Sequence, residues 1–227
     1  MINRTGTTAP LRAAPAPVNL PELVMAWGRG WAVSRGVPDP VEVPGGFRAD
    51  VGLRGHRVRH VLHTWDADRL EPIVRPGTPP GTWIKAIGHA NDLRRALPDH
   101  WTMDSSGYLM SAQFSAGTDD PPPPYETRIT TDGAVVVAAV VDASGTVAAS
   151  GRLAPAGTCG VIDQVETAPA HRRRGLGTTV MRMLSDHATR NGLGSGILVA
   201  TDDGRSLYRA LGWTVRSEIA VAYVREA

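Results

Sequence analysis

The sequence predicts an α+β fold: a mixed, largely antiparallel sheet flanked by helices in the C-terminal half, joined to an α/β N-terminal half. Three observations carry that reading. From Tyr125 to Leu153 the chain writes strand-like runs separated by the short turns Thr131-Asp132-Gly133 and Asp142 to Gly145, the pattern of hairpin-linked strands. Residues 158–177 then run from a strand through the step Thr167-Ala168-Pro169 into the basic glycine loop Arg172-Arg173-Arg174-Gly175-Leu176-Gly177. That loop opens a helix, because Leu176, Val180, Met183, Leu184 and His187 recur at helical spacing and make one stripe. In residues 18–117, finally, short strand and helix patterns alternate.

The 227 residues are 42% hydrophobic and 20% charged, the balance of an ordinary soluble protein. No apolar run approaches the ~20 residues of a membrane span. Residues 1–17 hold alanines and prolines without an apolar core and read as a disordered arm. Cys159 is the single cysteine, which excludes an intrachain disulfide and makes the cytoplasm the expected compartment. A net charge of +2 is too small to argue for nucleic acid. Lys85 is the only lysine among 24 Lys and Arg, a bias that reads, with the alanine and glycine load, as GC-rich coding rather than chemistry.

In chain order, Asn19 caps a predicted helix with Pro21 in its first turn and Leu20, Leu23, Val24, Trp27 and Trp31 on one stripe; Gly36 and Pro38 end it. Gly28 and Gly30 inside it point to close packing against another backbone. Strands follow at 41–43, 47–53 and 57–63. His56, His60 and His63 tempt a metal reading, but a strand sends His63 away from the other two and no carboxylate is fixed beside them, so no metal is assigned. A short helix at 68–74, a strand at 83–87 and a helix at 91–97 complete this half. Pro121 to Pro124 cannot be helical and mark residues 118–125 as a linker before a domain at 126–227.

The glycine loop is a phosphate cradle. A helix N-terminus leaves about four N–H groups unpaired and carries roughly half a positive charge. Gly175 and Gly177 remove Cβ atoms there, and Arg172, Arg173 and Arg174 add charge. The spacing is not that of a P-loop, and a dinucleotide fingerprint needs glycine where Arg172 or Val180 stands. Alone, three arginines also fit a solvated face or a nucleic-acid patch.

The spacing Arg172-x-x-Gly175-x-Gly177 after an apolar-x-Pro step resembles motif A of the GNAT superfamily of N-acetyltransferases. Leu207-Tyr208, three residues, then Gly212-Trp213 resembles its motif B, with tryptophan for the family's phenylalanine. The resemblance covers about residues 126–225. It implies a GNAT-type sheet, with acetyl-CoA in a wedge where strand 160–167 splays from strand 196–201. The pantetheine arm would follow the backbone of Val165 and Thr167, and the pyrophosphate the loop Arg172, Arg173, Arg174, Gly175, Leu176, Gly177 and Thr178. Tyr208 matches the position that protonates the leaving sulfur. Thr201 and Gly204 stand where the family often has asparagine and alanine, and Thr201 still offers a hydroxyl to the cofactor.

Asp163 and Glu166 are the candidate general bases. Strand alternation puts Asp163 with Val161 and Val165, and Glu166 on the other face with Ile162 and Gln164. The family places two helices between its first two strands, where this chain has only the Thr131-Asp132-Gly133 turn. The N-terminal half is therefore expected to wall the acceptor pocket, a degenerate second copy of the fold being one way to do so. The function implied is transfer of an acetyl group from acetyl-CoA to a primary amine of a small molecule or peptide by direct attack. The alternative is a non-catalytic acyl-CoA-binding or regulatory module. Nucleic-acid binding through His171 to Arg174, Arg205 and Arg209 ranks last. No nucleic acid, membrane or metal partner is implied, and a homodimer is left open.

Overall fold

The computed structural model describes residues 19–118 and 120–226; the predicted arm, residues 1–17, lies outside them. Helix α1 (Leu20–Arg35) begins where the Asn19 side chain accepts the Glu22 N–H and ends at Gly36, whose φ of 63° is left-handed. Strands β1 (Val41–Val43), β2 (Gly46–Leu53) and β3 (His56–Leu62) pair antiparallel in sequence. Helix α2 (Ala67–Val74) crosses to β4 (Thr82–Ile87), parallel to β3, and α3 (Ala90–Ala96) leads to β5 (Thr102–Gln113).

The antiparallel run β6 (Glu126–Asp132), β7 (Val135–Val141), β8 (Val147–Ala156) and β9 (Cys159–Thr167) follows. Helix α4 (Leu176–Arg190) crosses to β10 (Ser195–Ala200), parallel to β9, and α5 (Asp202–Ala210) leads to β11 (Thr214–Tyr223).

All the strands form one sheet in the order β1-β2-β3-β4-β11-β5-β10-β9-β8-β7-β6. The unit β3-α2-β4-α3-β5 repeats as β9-α4-β10-α5-β11, and each unit has lost its last strand to the other. Strand β5 pairs with β10, β11 pairs with β4, and the two exchanged strands pair with each other at the centre. That order is what two copies of one fold give after swapping a strand. Neither β5 nor β11 is announced by the sequence, and both are central.

Cross-strand partners share a face, so the register sorts the core into layers. Val61, Leu109, Ile197, Ile219 and Val221 pack beneath α1. Their alternates go to the opposite face: Met110 and Leu198 under α4 and α5, Leu62 and Ala220 under α2 and α3. Among the described residues helix α1 is thus the one helix on its side, and the sheet curls round it. Gly28 lies against Phe47 of β2 and Gly30 against Val161 of β9, strands from opposite halves. The close approach expected at these glycines is therefore to side chains, not backbone: a Cβ at position 28 would sit 2.5 Å from the Phe47 ring, and one at position 30 would run into Val161. Among the described residues no helix is long and apolar enough to cross a membrane.

Candidate functional site

Strands β9 and β10 pair only from Ser195↔Cys159 to Ile197↔Val161, and beyond that they separate. The cause is local. Gln164 has φ 52°, a left-handed backbone rare for a residue with a side chain, and the β8–β9 register shifts there. This bulge corrects the alternation expected for the two carboxylates. Asp163 pairs with Arg152 and Glu166 with Ser150, two residues apart on β8, so both carboxylates share the α1 face. Val165 turns instead to the α4 face, where it meets the space beside Gly151, and Thr167 turns there too, toward Gly177.

The glycine loop meets the open end of this wedge. Gly175 is the N-cap of α4 with φ 79° and no side chain caps the helix, so its first N–H groups are left for a ligand. Arg173 is also left-handed, φ 62°, while Arg174 between it and Gly175 is not, and such alternation of hand along consecutive residues converges backbone N–H groups on an anion. A Cβ at Gly177 would lie 3.1 Å from Leu207 and 3.7 Å from Thr167 Oγ1, so the loop, β9 and α5 converge at that residue. Leu176 is itself buried in the core and offers only its main chain, while Thr178 is half-buried beside it.

The three arginines are not equivalent. Arg172 Nε donates to the Thr167 carbonyl at 3.2 Å, and Arg174 donates to the Tyr125 hydroxyl at 2.8 Å. Tyr125, which also bonds His171 Nδ1 at 2.8 Å, reads in the sequence only as the point where the linker gives way to strands, with no role at the site. Arg173 is exposed. These contacts fit a diphosphate: uncapped N–H groups, no Cβ at the point of approach, and guanidinium groups around it.

Helix α5 brings the rest. The Thr201 hydroxyl accepts the Gly204 N–H at 3.2 Å and so acts as a helix cap. Tyr108 of the exchanged strand β5 donates to Asp202 at 3.0 Å and lies under Arg205, fixing the start of α5. A Cβ at Gly204 would stand 3.0 Å from the Tyr208 ring, so glycine here gives that ring its room. Tyr208 is 8% exposed, and burial, then the charge of Asp163, push its phenol up to about 12. It stays protonated at any physiological pH.

Asp163 is held from α1. Arg35 reaches it through Nε at 2.5 Å and Nη2 at 3.1 Å, Ser34 donates at 3.2 Å, and the carboxylate is 17% exposed. Glu166 is exposed at the wedge mouth. Sequence reasoning did not find Ser34 and Arg35, which lie far from the wedge in the chain. The three histidines are apart in their contacts: His56 accepts from Arg59 and lies tilted against Trp83, His60 is half-buried in β3, and His63 bonds Thr64.

Residues 99–213, half the chain, match the family model described as the acetyltransferase (GNAT) family. The match begins ahead of β5 and so takes in the exchanged strand. The fold is similar to that of a GCN5-related N-acetyltransferase from Kribbella flavida (TM-score 0.64, 15% identity, 90% of this chain and 96% of that one). It is similar also to one from Sphaerobacter thermophilus (0.57, 13%, 94% and 95%). A tandem GNAT protein from the clavulanic acid biosynthesis pathway aligns with TM-score 0.51 at 10% identity, over 64% of this chain and 65% of that one. No curated protein matches by sequence.

Proposed function

The chain belongs to the acetyltransferase (GNAT) family, and on that premise we propose that it moves an acetyl group from acetyl-CoA to a primary amine of a small molecule or peptide by direct attack. The observation that carries this reading is the uncapped α4 N-terminus beside the unpaired edges of β9 and β10. Acetyl-CoA supplies an activated acyl thioester, whose carbonyl carbon a neutral amine attacks as the carbon–sulfur bond breaks.

In this reading the N–H groups of residues 173–178 hold the diphosphate, with Arg172, Arg173 and Arg174 adding charge, and Val165 and Thr167 offer main chain along the wedge. Tyr208 gives its hydrogen bond, and then its proton, to the departing sulfur; the burial that raises the phenol equally raises the proton affinity of a thiolate formed beside it. Thr201 acts by capping α5 and so positions Tyr208. Glu166, unencumbered at the mouth, takes the amine proton through water. Asp163, engaged by Arg35 and Ser34, is a positioning residue that ties α1 to the wedge. The wall facing the acceptor comes from the N-terminal half.

The test is release of the CoA thiol from acetyl-CoA across a panel of primary amines, with acetyl-CoA binding measured in parallel by calorimetry. Turnover with at least one amine supports the reading. Tight binding without turnover by any amine makes the chain an acyl-CoA-binding or regulatory module instead.

A further inference from the structure

The only lysine of the chain lies on the concave face of the sheet. Lys85 pairs with Val221 and with Val61, both of which pack beneath α1, so its side chain points to the same side. Asp104 pairs with Val221 from the other flank and shares that face. Arg59 is 8% exposed, and its guanidinium lies 4.0 Å above the Trp31 ring of α1 while Nε donates to His56. Arg35 and Asp163 complete the group.

The charges in this group do not cancel. Asp163 is taken by Arg35, and Asp104 is exposed with a carboxylate oxygen accepting the Ser105 N–H. Among the described residues neither the Lys85 ammonium nor the outer nitrogens of Arg59 have an acidic partner. Burial works against the charge of both. Burial and then Arg59 push Lys85 down to about 7, Asp104 and Asp163 pull it back, and Arg35 adds to the push. Burial and then Arg35 push Arg59 down to about 9, with Asp163 opposing. His56 is driven to about 3 by burial, Arg59, Lys85 and Arg35, and stays neutral. Two buried cations whose neighbouring carboxylates are bonded elsewhere, Asp163 to Arg35 and Asp104 to the Ser105 N–H, are a place for an anion.

Asp163 links this group to the wedge: it stands on β9, bonded by Arg35 of α1 at 2.5 Å, while Trp31 of the same helix lies under Arg59 and packs in one cluster with Val161 of β9 and Val61 of β3. We propose that Arg59 and Lys85 bind the carboxylate of the acceptor, so that the acceptor is an amino acid or another amine that carries a carboxylate. This rests on the acetyltransferase reading above and narrows it. A guanidinium takes a carboxylate through two parallel hydrogen bonds, and an ammonium beside it completes the pair. The same cations lower the pKa of an amine brought near them and favour the neutral form that attacks. A polyamine, bringing further positive charge, is excluded.

A single lysine makes the test direct. Protein labelled with [ε-13C]lysine, tag-free and at full length, gives one side-chain resonance whose pH titration reads the Lys85 pKa without any turnover. The probes are glycine, L-phenylalanine and L-glutamate, each against its α-carboxamide, with putrescine as the cationic control. The midpoint, near 7 in the free protein, is expected to move up by about one unit or more with a carboxylate probe and to stay with the carboxamides and putrescine. No movement with any amino acid, or equal movement with the carboxamides, overturns the proposal. It does so even if uncharged amines are acetylated, in which case the enzymatic reading stands and only the acceptor class fails. In thiol-release assays Lys85→Met and Arg59→Lys are expected to raise KM for the carboxylate acceptor on the order of ten- to a hundredfold. A variant with unchanged KM, folded by circular dichroism, also overturns it.

Discussion

Tyr208 carries the sharpest prediction at the scale of single residues. Its ring packs near Trp213, at 6.2 Å between centroids, and its hydroxyl is the only donor it has. Tyr208→Phe keeps that packing and removes the proton. Turnover is expected to fall by a factor of about 100 to 10,000 while the Kd for acetyl-CoA is unchanged; single-turnover kinetics and calorimetry separate the two, and a mutant with full turnover returns Tyr208 to packing. Lys85 has a consequence for stability as well. Its pKa is about 7 in the fold against the ordinary 10.5 of a lysine in water, so between these values the unfolded chain binds more protons and stability rises with pH. Below pH 7 the penalty of the buried charge is fully present. Lys85→Met removes it, so the mutant is expected to gain stability over the parent at pH 7 and to lose that advantage by pH 10.5. Urea midpoints measured across that range check it, and parallel pH profiles contradict it.

At the scale of elements, α4 and α1 use glycine differently. On the acetyl-CoA reading the uncapped α4 N-terminus takes an anion, and Gly177→Asp puts a carboxylate beside it as well as a Cβ 3.1 Å from Leu207. Acetyl-CoA affinity is expected to fall by at least tenfold with the fold retained, and an unchanged Kd in a folded mutant removes the diphosphate from this loop. In α1 the glycines serve packing instead. Gly30→Ala drives a methyl into Val161, and overpacking of a close-packed core costs about 1–3 kcal/mol. Chemical denaturation of the variant measures that loss; a variant as stable as the parent shows that the sheet relaxes away from α1.

For the whole molecule the strand exchange decides what can be cut away. Strand β5 lies between β10 and β11, and Tyr108 on it fixes the start of α5. A fragment beginning at Tyr125 loses that strand together with α1, leaving two unpaired strand edges and an uncovered apolar face. It is expected to aggregate or to remain unfolded and to release no CoA thiol. Light scattering, circular dichroism and the thiol assay report on this, and a monomeric, fully active fragment refutes it. The two units have also diverged at their crossovers. Strands β3 and β4 stay paired from Val58↔Thr82 to Leu62↔Ala86, and α2 is capped by the Asp66 carboxylate, which accepts the Arg69 N–H at 2.9 Å. A closed strand pair and a negative N-cap set the N-terminal unit apart from the C-terminal one, where β9 and β10 separate and no side chain caps α4.

What the residues announced was local. The Asn19 cap with Pro21, the Gly36 stop, the hairpins around Gly133 and Gly145, and the glycine loop opening α4 each depend on groups a few positions apart, so consecutive residues specify them. The two motifs and the family they resemble were legible for the same reason. Strands β5 and β11 were not. Thr102-Met103-Asp104-Ser105-Ser106-Gly107 has little β-propensity, and bulges between Val215 and Ser217 and between Ile219 and Val221 break the alternation of β11. Pairing on both sides makes them strands. The bulge at Gln164 likewise needed tertiary pairing, and one inserted residue carried Glu166 to the face of Asp163. The lone lysine looked like coding bias because charge burial is invisible in a sequence. Only the curl of the sheet round α1 brings residues 59, 85, 104 and 163 to the face beneath the helix that ends in Arg35, where the dielectric is low and a buried cation has consequences.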